Sequence, residues 1–172
     1  MPLERRLILI LFTFTDAGMI FLMAILEKTS MNTGAVWIID SDIDDQEMVK
    51  EVWQELDLKN ELRFLESADE AMNLLDEVDA APFIIISELH LPKTDGFELR
   101  ERMLATGSKK FKSVPFIFWS ADATEEQITR AYNLSVHGFF IKETRFQELK
   151  NTFRNIINYW LKSKMPEKQV VS

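Results

Sequence analysis

The sequence predicts an α/β fold in which a five-stranded parallel sheet is wound on both faces by helices. Three observations lead there. Runs of about four residues are apolar throughout, amphipathic stretches of about ten to fifteen residues separate them, and the two alternate regularly from residue 35 to residue 162. A strand apolar on both sides offers no face to water, which is the property of a parallel sheet covered twice.

Taken in order, Val36 to Ile39 is the first buried run, and the helix after it carries Val49, Val52, Trp53 and Leu56 on one face. Leu62 to Leu65 is the second strand. Ser67 is placed to cap the next helix, with Glu70 three residues on completing a capping box and Ala71, Leu74, Leu75 and Val78 turned inward before Pro82 stops it. Residues 83–86 form the third strand and residues 97–104 the third helix, closed by Gly107. Residues 116–119, 124–134 and 139–141 give strand, helix and strand again. The last helix shows Phe146, Leu149, Phe153, Ile156 and Trp160 at steps of three and four. Five β-α units make a flavodoxin-like, doubly wound (βα)5 sandwich. In such sheets, sites form beyond the carboxyl ends of the strands, where strand order reverses. The residues there are Asp40, Ser41 and Asp42 after the first strand, Glu88 after the third, Ser120 after the fourth and Lys142 after the fifth. Carboxylates, a hydroxyl and an ammonium at one edge suit a divalent cation with a phosphoryl group.

Composition narrows the function. A chain of 172 residues, 47% hydrophobic and 28% charged, holds one domain with a proper core plus a short extension. A net charge of -8 without a basic cluster argues against nucleic acid as a partner. The lack of cysteine excludes a disulfide framework, thiol catalysis and thiolate metal sites. His90 and His137 have no second ligand at useful spacing and read as loop histidines. There is no glycine-rich phosphate loop.

Residues 1–34 form a hydrophobic amino-terminal segment. Residues 7–26 carry a single charge, Asp16, and as a helix would span roughly 30 Å, membrane length. Their twelve Leu, Ile and Phe residues outweigh that one Asp on an insertion scale. Two expectations stand side by side: a membrane anchor, or translation beginning at Met31. With Arg5 and Arg6 before the span and Glu27 and Lys28 cancelling after it, an anchor would put the downstream domain outside the cytoplasm. Residues 163–172 are expected to be a tail.

Over roughly residues 35–160 the chain resembles the receiver domain of two-component response regulators. The resemblance rests on VWIID, IISELHLPKTDGFEL, VPFIFWSADA and GFFIKE, in that order and at that spacing. It implies an acidic pair after the first strand and a phosphoacceptor Asp after the third that together hold Mg²⁺, with a Ser or Thr and a Lys contacting the phosphoryl group. Asp40 matches the first of the pair, and Ser41 falls on the second, so one carboxylate is missing. Glu88 falls on the phosphoacceptor position. Ser120 and Lys142 match the hydroxyl and the lysine, and Pro92, Asp95 and Gly96 match the turn. Phe139 takes the place of the switch aromatic, and Glu143 replaces the proline after the lysine. By this resemblance the metal ligands are Asp40 and Glu88, with Mg²⁺ held weakly or lost.

Glu88 extends the carboxylate by one carbon-carbon bond, about 1.5 Å, and a 1 Å misplacement costs on the order of a hundredfold in group transfer. Together with Ser41 this points to a degenerate receiver in which Glu88 reaches toward Lys142 and Ser120. Two other readings compete. Asp40, Asp42, Asp44 and Glu51 have EF-hand spacing, but Asp45 stands where glycine is needed. A haloacid-dehalogenase-like phosphatase would use Asp40 as nucleophile and Asp42 as general acid, yet it leaves the PKTDG turn unexplained. The expectation is a stand-alone, non-enzymatic, cytoplasmic signalling module. Its partner would be a histidine kinase or another signalling protein, or a second copy, met across the fourth helix, fifth strand and fifth helix.

Overall fold

The computed structural model describes residues 34–78, 80–106, 111 and 113–164. The chain divides into two units, residues 1–33 and 34–172, and the fold below is that of the second. The apolar segment 7–26, Met31, Gly107 and the tail beyond Lys164 lie outside the described residues. Among those described, no helix is long and apolar enough to cross a membrane.

The elements run β1 Val36–Ile39, α1 Ile43–Glu55, β2 Leu62–Leu65, α2 Ala68–Glu77, β3 Ile84–Ser87, α3 Gly96–Ala105, β4 Phe116–Ser120, α4 Glu125–Asn133, β5 Gly138–Ile141 and α5 Phe146–Lys162. All strand pairs are parallel, in the order β2-β1-β3-β4-β5. Strand order therefore reverses between β1 and β3. Register aligns Ile39 with both Leu65 and Ser87, and Ser120 with Ile141, so the strand ends share one edge.

Successive side chains of a strand point to opposite faces, and the core divides accordingly. Trp37, Ile39, Ile85, Phe116 and Phe118 pack with Ala71 and Leu75 of α2 and Leu99 and Met103 of α3. Val36, Ile38, Ile84, Ile86, Ile117 and Trp119 pack with Val49 and Val52 of α1 and Leu149, Phe153 and Ile157 of α5. Burying each such side chain contributes roughly 1.5–3 kcal/mol. The rings cross edge to face, with Phe153 against both Trp53 and Trp119.

Caps fix where the helices begin. Asp42, Ser67, Asp95 and Thr124 each accept a backbone N–H of the first turn that would otherwise lack a partner. The capping box expected at Ser67 is only half made. Ser67 Oγ accepts from the Glu70 amide at 3.2 Å, but the Glu70 carboxylate reaches one residue further and accepts from the Glu66 amide at 2.7 Å. The reciprocal box forms instead at Thr124 and Gln127. The third strand begins one residue later than expected, because the Phe83 amide bonds Ala35 ahead of the regular ladder.

One glycine is demanded by close approach. A Cβ on Gly96 would lie 2.6 Å from Phe118 Cε1 and 2.7 Å from the Glu88 carbonyl oxygen. The PKTDG turn thus presses back on the end of β3.

Candidate functional site

Four of the five strand ends, those of β1, β3, β4 and β5, deliver one side chain each to a common pocket, and backbone bonds carry the pairing past the strands. The Asp40 amide donates to Leu65, the Glu88 amide to Ile39 at 2.8 Å, and the Lys142 amide to Ser120 at 2.8 Å. Asp40, Glu88, Ser120 and Lys142 are thereby held side by side.

The Glu88 carboxylate is fully engaged. Its Oε1 accepts from the Leu89 amide at 2.6 Å, the His90 amide at 3.0 Å and the Ser120 hydroxyl. Its Oε2 lies 2.7 Å from Lys142 Nζ. The same ammonium donates to Asp40 Oδ2 at 2.6 Å and Asp45 Oδ2 at 2.7 Å. Asp40 Oδ1 accepts from the Asp42 amide at 2.9 Å, and Gln46 Nε2 donates to the Asp40 carbonyl at 2.7 Å. Lys142 Nζ also sits 4.9 Å above the Trp119 ring. The Lys142 side chain is 11% exposed, and those of Asp40 and Glu88 are 3% and 9% exposed.

The electrostatics follow from burial opposed by this bonding. Burial favours the neutral acid at Asp40 and wins, so its pKa is raised despite Lys142. At Glu88 burial also pushes upward, but hydrogen bonds from Lys142, Ser120 and the His90 amide together outweigh it, and the carboxyl falls below its ordinary value. Burial favours the neutral amine at Lys142. Its bonds to Asp40, Asp45 and Glu88 reverse that and hold its pKa well above the lysine range.

Asp42 does not share the pocket that its position suggests. Its carboxylate accepts from the Asp44 and Asp45 amides as the N-cap of α1, because the first free N–H groups of that helix lie closer than the strand edge. Ser41 is exposed. Phe139 packs on Phe118 with ring centroids 5.6 Å apart. The Glu143 carboxylate accepts from the Thr152 hydroxyl and ties the last loop to α5.

Asp45 is the residue that sequence reasoning missed. The signal was present: with Asp42 as cap, Asp45 is the third helical residue, and helical side chains lean toward the amino terminus and so toward the sheet edge. Both rival readings of this acidic run fail on the same geometry. Residues 43–55 are helical where an EF-hand loop would wrap an ion, and Asp42 is spent on the helix cap instead of standing opposite Asp40 as a general acid.

Mg²⁺ requires oxygens at about 2.0–2.1 Å in near-octahedral array. The three carboxylate oxygens that converge here do so on an ammonium at hydrogen-bond distance, and among the described residues no group of three or more potential ligands has metal-binding geometry. As arranged, the donor set does not fit the ion.

The response regulator receiver domain pattern matches residues 36–154. The chain belongs to that family. Receiver domains act in two-component signalling with histidine kinases or other signalling proteins. They are generally not enzymes, and they commonly bind Mg²⁺ or Mn²⁺ at this pocket. The chain is 30% identical over 80 residues to the probable methanogenesis regulatory protein FilR2 of Methanothrix harundinacea, covering 46% of this chain and half of that one. It is 23% identical over 133 residues to response regulator Rcp1 of Synechocystis, covering 74% of this chain and 89% of Rcp1. Among solved structures, it is similar to the phosphorylated cyanobacterial phytochrome response regulator RcpA, with a TM-score of 0.70, 21% identity, and 78% and 99% of the two chains covered. It is also similar to a Mn²⁺-bound form of Rcp1, with a TM-score of 0.67, 22% identity, and 77% and 99% covered.

Proposed function

We propose that this receiver is degenerate and signals through protein contact, with Glu88 acting as a fixed anionic group in place of a phosphorylated one. The observation that carries this reading is the double engagement of its carboxylate. The Ser120 hydroxyl bonds one oxygen and the Lys142 ammonium the other, the two groups expected to contact a phosphoryl group. A carboxylate whose lone pairs are already filled by two amides, a hydroxyl and an ammonium is a poor nucleophile. Any Mg²⁺ binding is weak on this reading.

The partner is a histidine kinase or another signalling protein, or a second copy, received across α4, β5 and α5. Support comes from large apolar side chains left exposed on each of the three elements: Tyr132, Ile141 and Tyr159. The compartment expected of such a module is the cytoplasm.

The test is incubation with a small-molecule phosphodonor and Mg²⁺, read by intact mass. No adduct is expected. A stoichiometric, base-labile phosphoryl adduct at Glu88 would overturn the proposal. Glu88→Gln, which keeps the size but removes the charge, is expected to change affinity for the native partner; unchanged affinity would remove Glu88 from the signal.

A further inference from the structure

We infer that Lys142 is itself the resident cation of this pocket, recruited there by Asp45, so that the acidic cluster takes no divalent metal. This deepens the reading above and rests on it for the role of Glu88, but its test is separate. An ammonium has three N–H donors. Three carboxylate oxygens, from Asp40, Asp45 and Glu88, lie within 2.7 Å of Nζ, so every donor has an anionic acceptor and none is left over.

The remaining carboxylate oxygens nearest the strand ends also carry hydrogen-bond partners. Glu88 Oε1 receives two amides and a hydroxyl, and Asp40 Oδ1 receives the Asp42 amide. A divalent ion would have to displace the ammonium, draw the oxygens in by roughly 0.6 Å, and surrender several of its own waters, which Mg²⁺ does reluctantly. The Lys142 side chain is largely covered, which limits how far its ammonium can withdraw. The displaced positive charge would therefore remain beside the incoming one.

Asp45 is what completes the arrangement. Ser41 supplies no carboxylate and is exposed, whereas Asp45 enters from the first turn of α1, where the helix dipole favours negative charge. The third anion has been supplied from the helix, and it is aimed at the lysine. The residual local charge, three carboxylates against one ammonium, still attracts cations through space. The proposal therefore concerns inner-sphere binding at this point and not general ionic strength.

The experiment uses the full chain and two readouts. The first is the electron paramagnetic resonance signal of free Mn²⁺, with Mg²⁺ as competitor. The second is the rate of acetylation of Lys142 by a small amine reagent relative to exposed Lys93, read by peptide mass. The wild type is expected to leave the free Mn²⁺ signal undiminished and to label Lys142 roughly tenfold or more slower than Lys93, with no change on adding Mg²⁺. Asp45→Asn is expected to label Lys142 several-fold faster with an unchanged near-ultraviolet circular dichroism spectrum, and Asp45→Glu to restore protection. Stoichiometric Mn²⁺ uptake by the wild type, Mg²⁺-induced exposure of Lys142, or Asp45→Asn labelling at the wild-type rate would each overturn the inference. Mn²⁺ uptake without a phosphoryl adduct would sink this inference alone. An adduct without Mn²⁺ uptake would instead sink the proposed function.

Discussion

Lys142→Met isolates what the ammonium holds together. Methionine preserves most of the stem but leaves Asp40, Asp45 and Glu88 facing one another. Their oxygens, each within 2.7 Å of the vanished nitrogen, can stand no further apart than about 5 Å, where each pair repels by about 3 kcal/mol at an effective dielectric of 20. The carboxylates relieve this partly by rearranging and partly by taking up protons. The expected net loss is about 3–5 kcal/mol at pH 7, the range for breaking a buried ion pair, or roughly 10–20 °C in melting temperature.

The pH dependence has a definite sign. In the wild type Glu88 titrates below its ordinary value of 4.5, so its contribution is present above that pH and lost as pH falls through the folded value. Without the lysine, Asp40, already raised by burial, rises further and Glu88 rises above its unfolded value, so both penalise folding at neutral pH, a penalty that protonation removes. The gap between variant and wild type is therefore largest near pH 7 and shrinks toward pH 4. Urea unfolding across that range measures it. A gap below about 1 kcal/mol at pH 7, or one that widens on acidification, would refute the reasoning. Adding Glu88→Gln to Lys142→Met is expected to recover part of the loss, since one repelling charge is gone.

Other perturbations test neighbouring parts of the structure. In the wild type, Lys142 titrates above its ordinary value of 10.5, so its stabilisation is expected to be complete below pH 10.5 and lost only above it, as an alkaline unfolding series would show. Gly96→Ala places a methyl against the Phe118 ring and the Glu88 carbonyl and is expected to cost about 1–3 kcal/mol in thermal unfolding. Arg100 is a buried guanidinium on α3 that donates to the Leu134 and Ser135 carbonyls at 3.1 and 2.9 Å, capping the end of α4 from a different helix. Arg100→Ala is expected to cost about 2–4 kcal/mol and to speed amide exchange in the last turn of α4; unchanged exchange there would remove the cap from the explanation. Lys93 holds a φ of 67° in the PKTDG turn, so Lys93→Gly is expected to raise stability by up to about 1 kcal/mol.

The fold was legible because its signals are local. VWII, IIIS and FIFWS are apolar on both faces, and only a doubly covered sheet satisfies such strands. Helix faces were legible for the same reason: the periodicity that names Val49, Val52 and Trp53 also buries them. Boundaries were less legible. Whether Phe83 belongs to β3, or Glu70 closes a capping box, depends on which backbone group is nearest, and that is settled by neighbouring chain segments.

The site divides along the same line. Position at the ends of parallel strands is a one-dimensional property, and it was enough to name Asp40, Glu88, Ser120 and Lys142 before any contact was known. Which carboxylate faces which cation is a matter of angles that spacing does not encode. Asp42 and Asp45 are both acidic, three residues apart, and equivalent to any reading of composition. One side chain caps α1 and the other reaches Lys142, because Asp42 has the extended backbone of an N-cap and folds over the first free amides, whereas Asp45 is helical and leans back toward the strand edge. Local pattern alone was enough for the doubly wound sheet, the edge at which the chemistry gathers and the presence of a glutamate there. Packing in three dimensions was needed to bring Asp40 and a third carboxylate from α1 around the lysine that this glutamate was expected to reach, since that contact joins residues up to 102 positions apart along the chain.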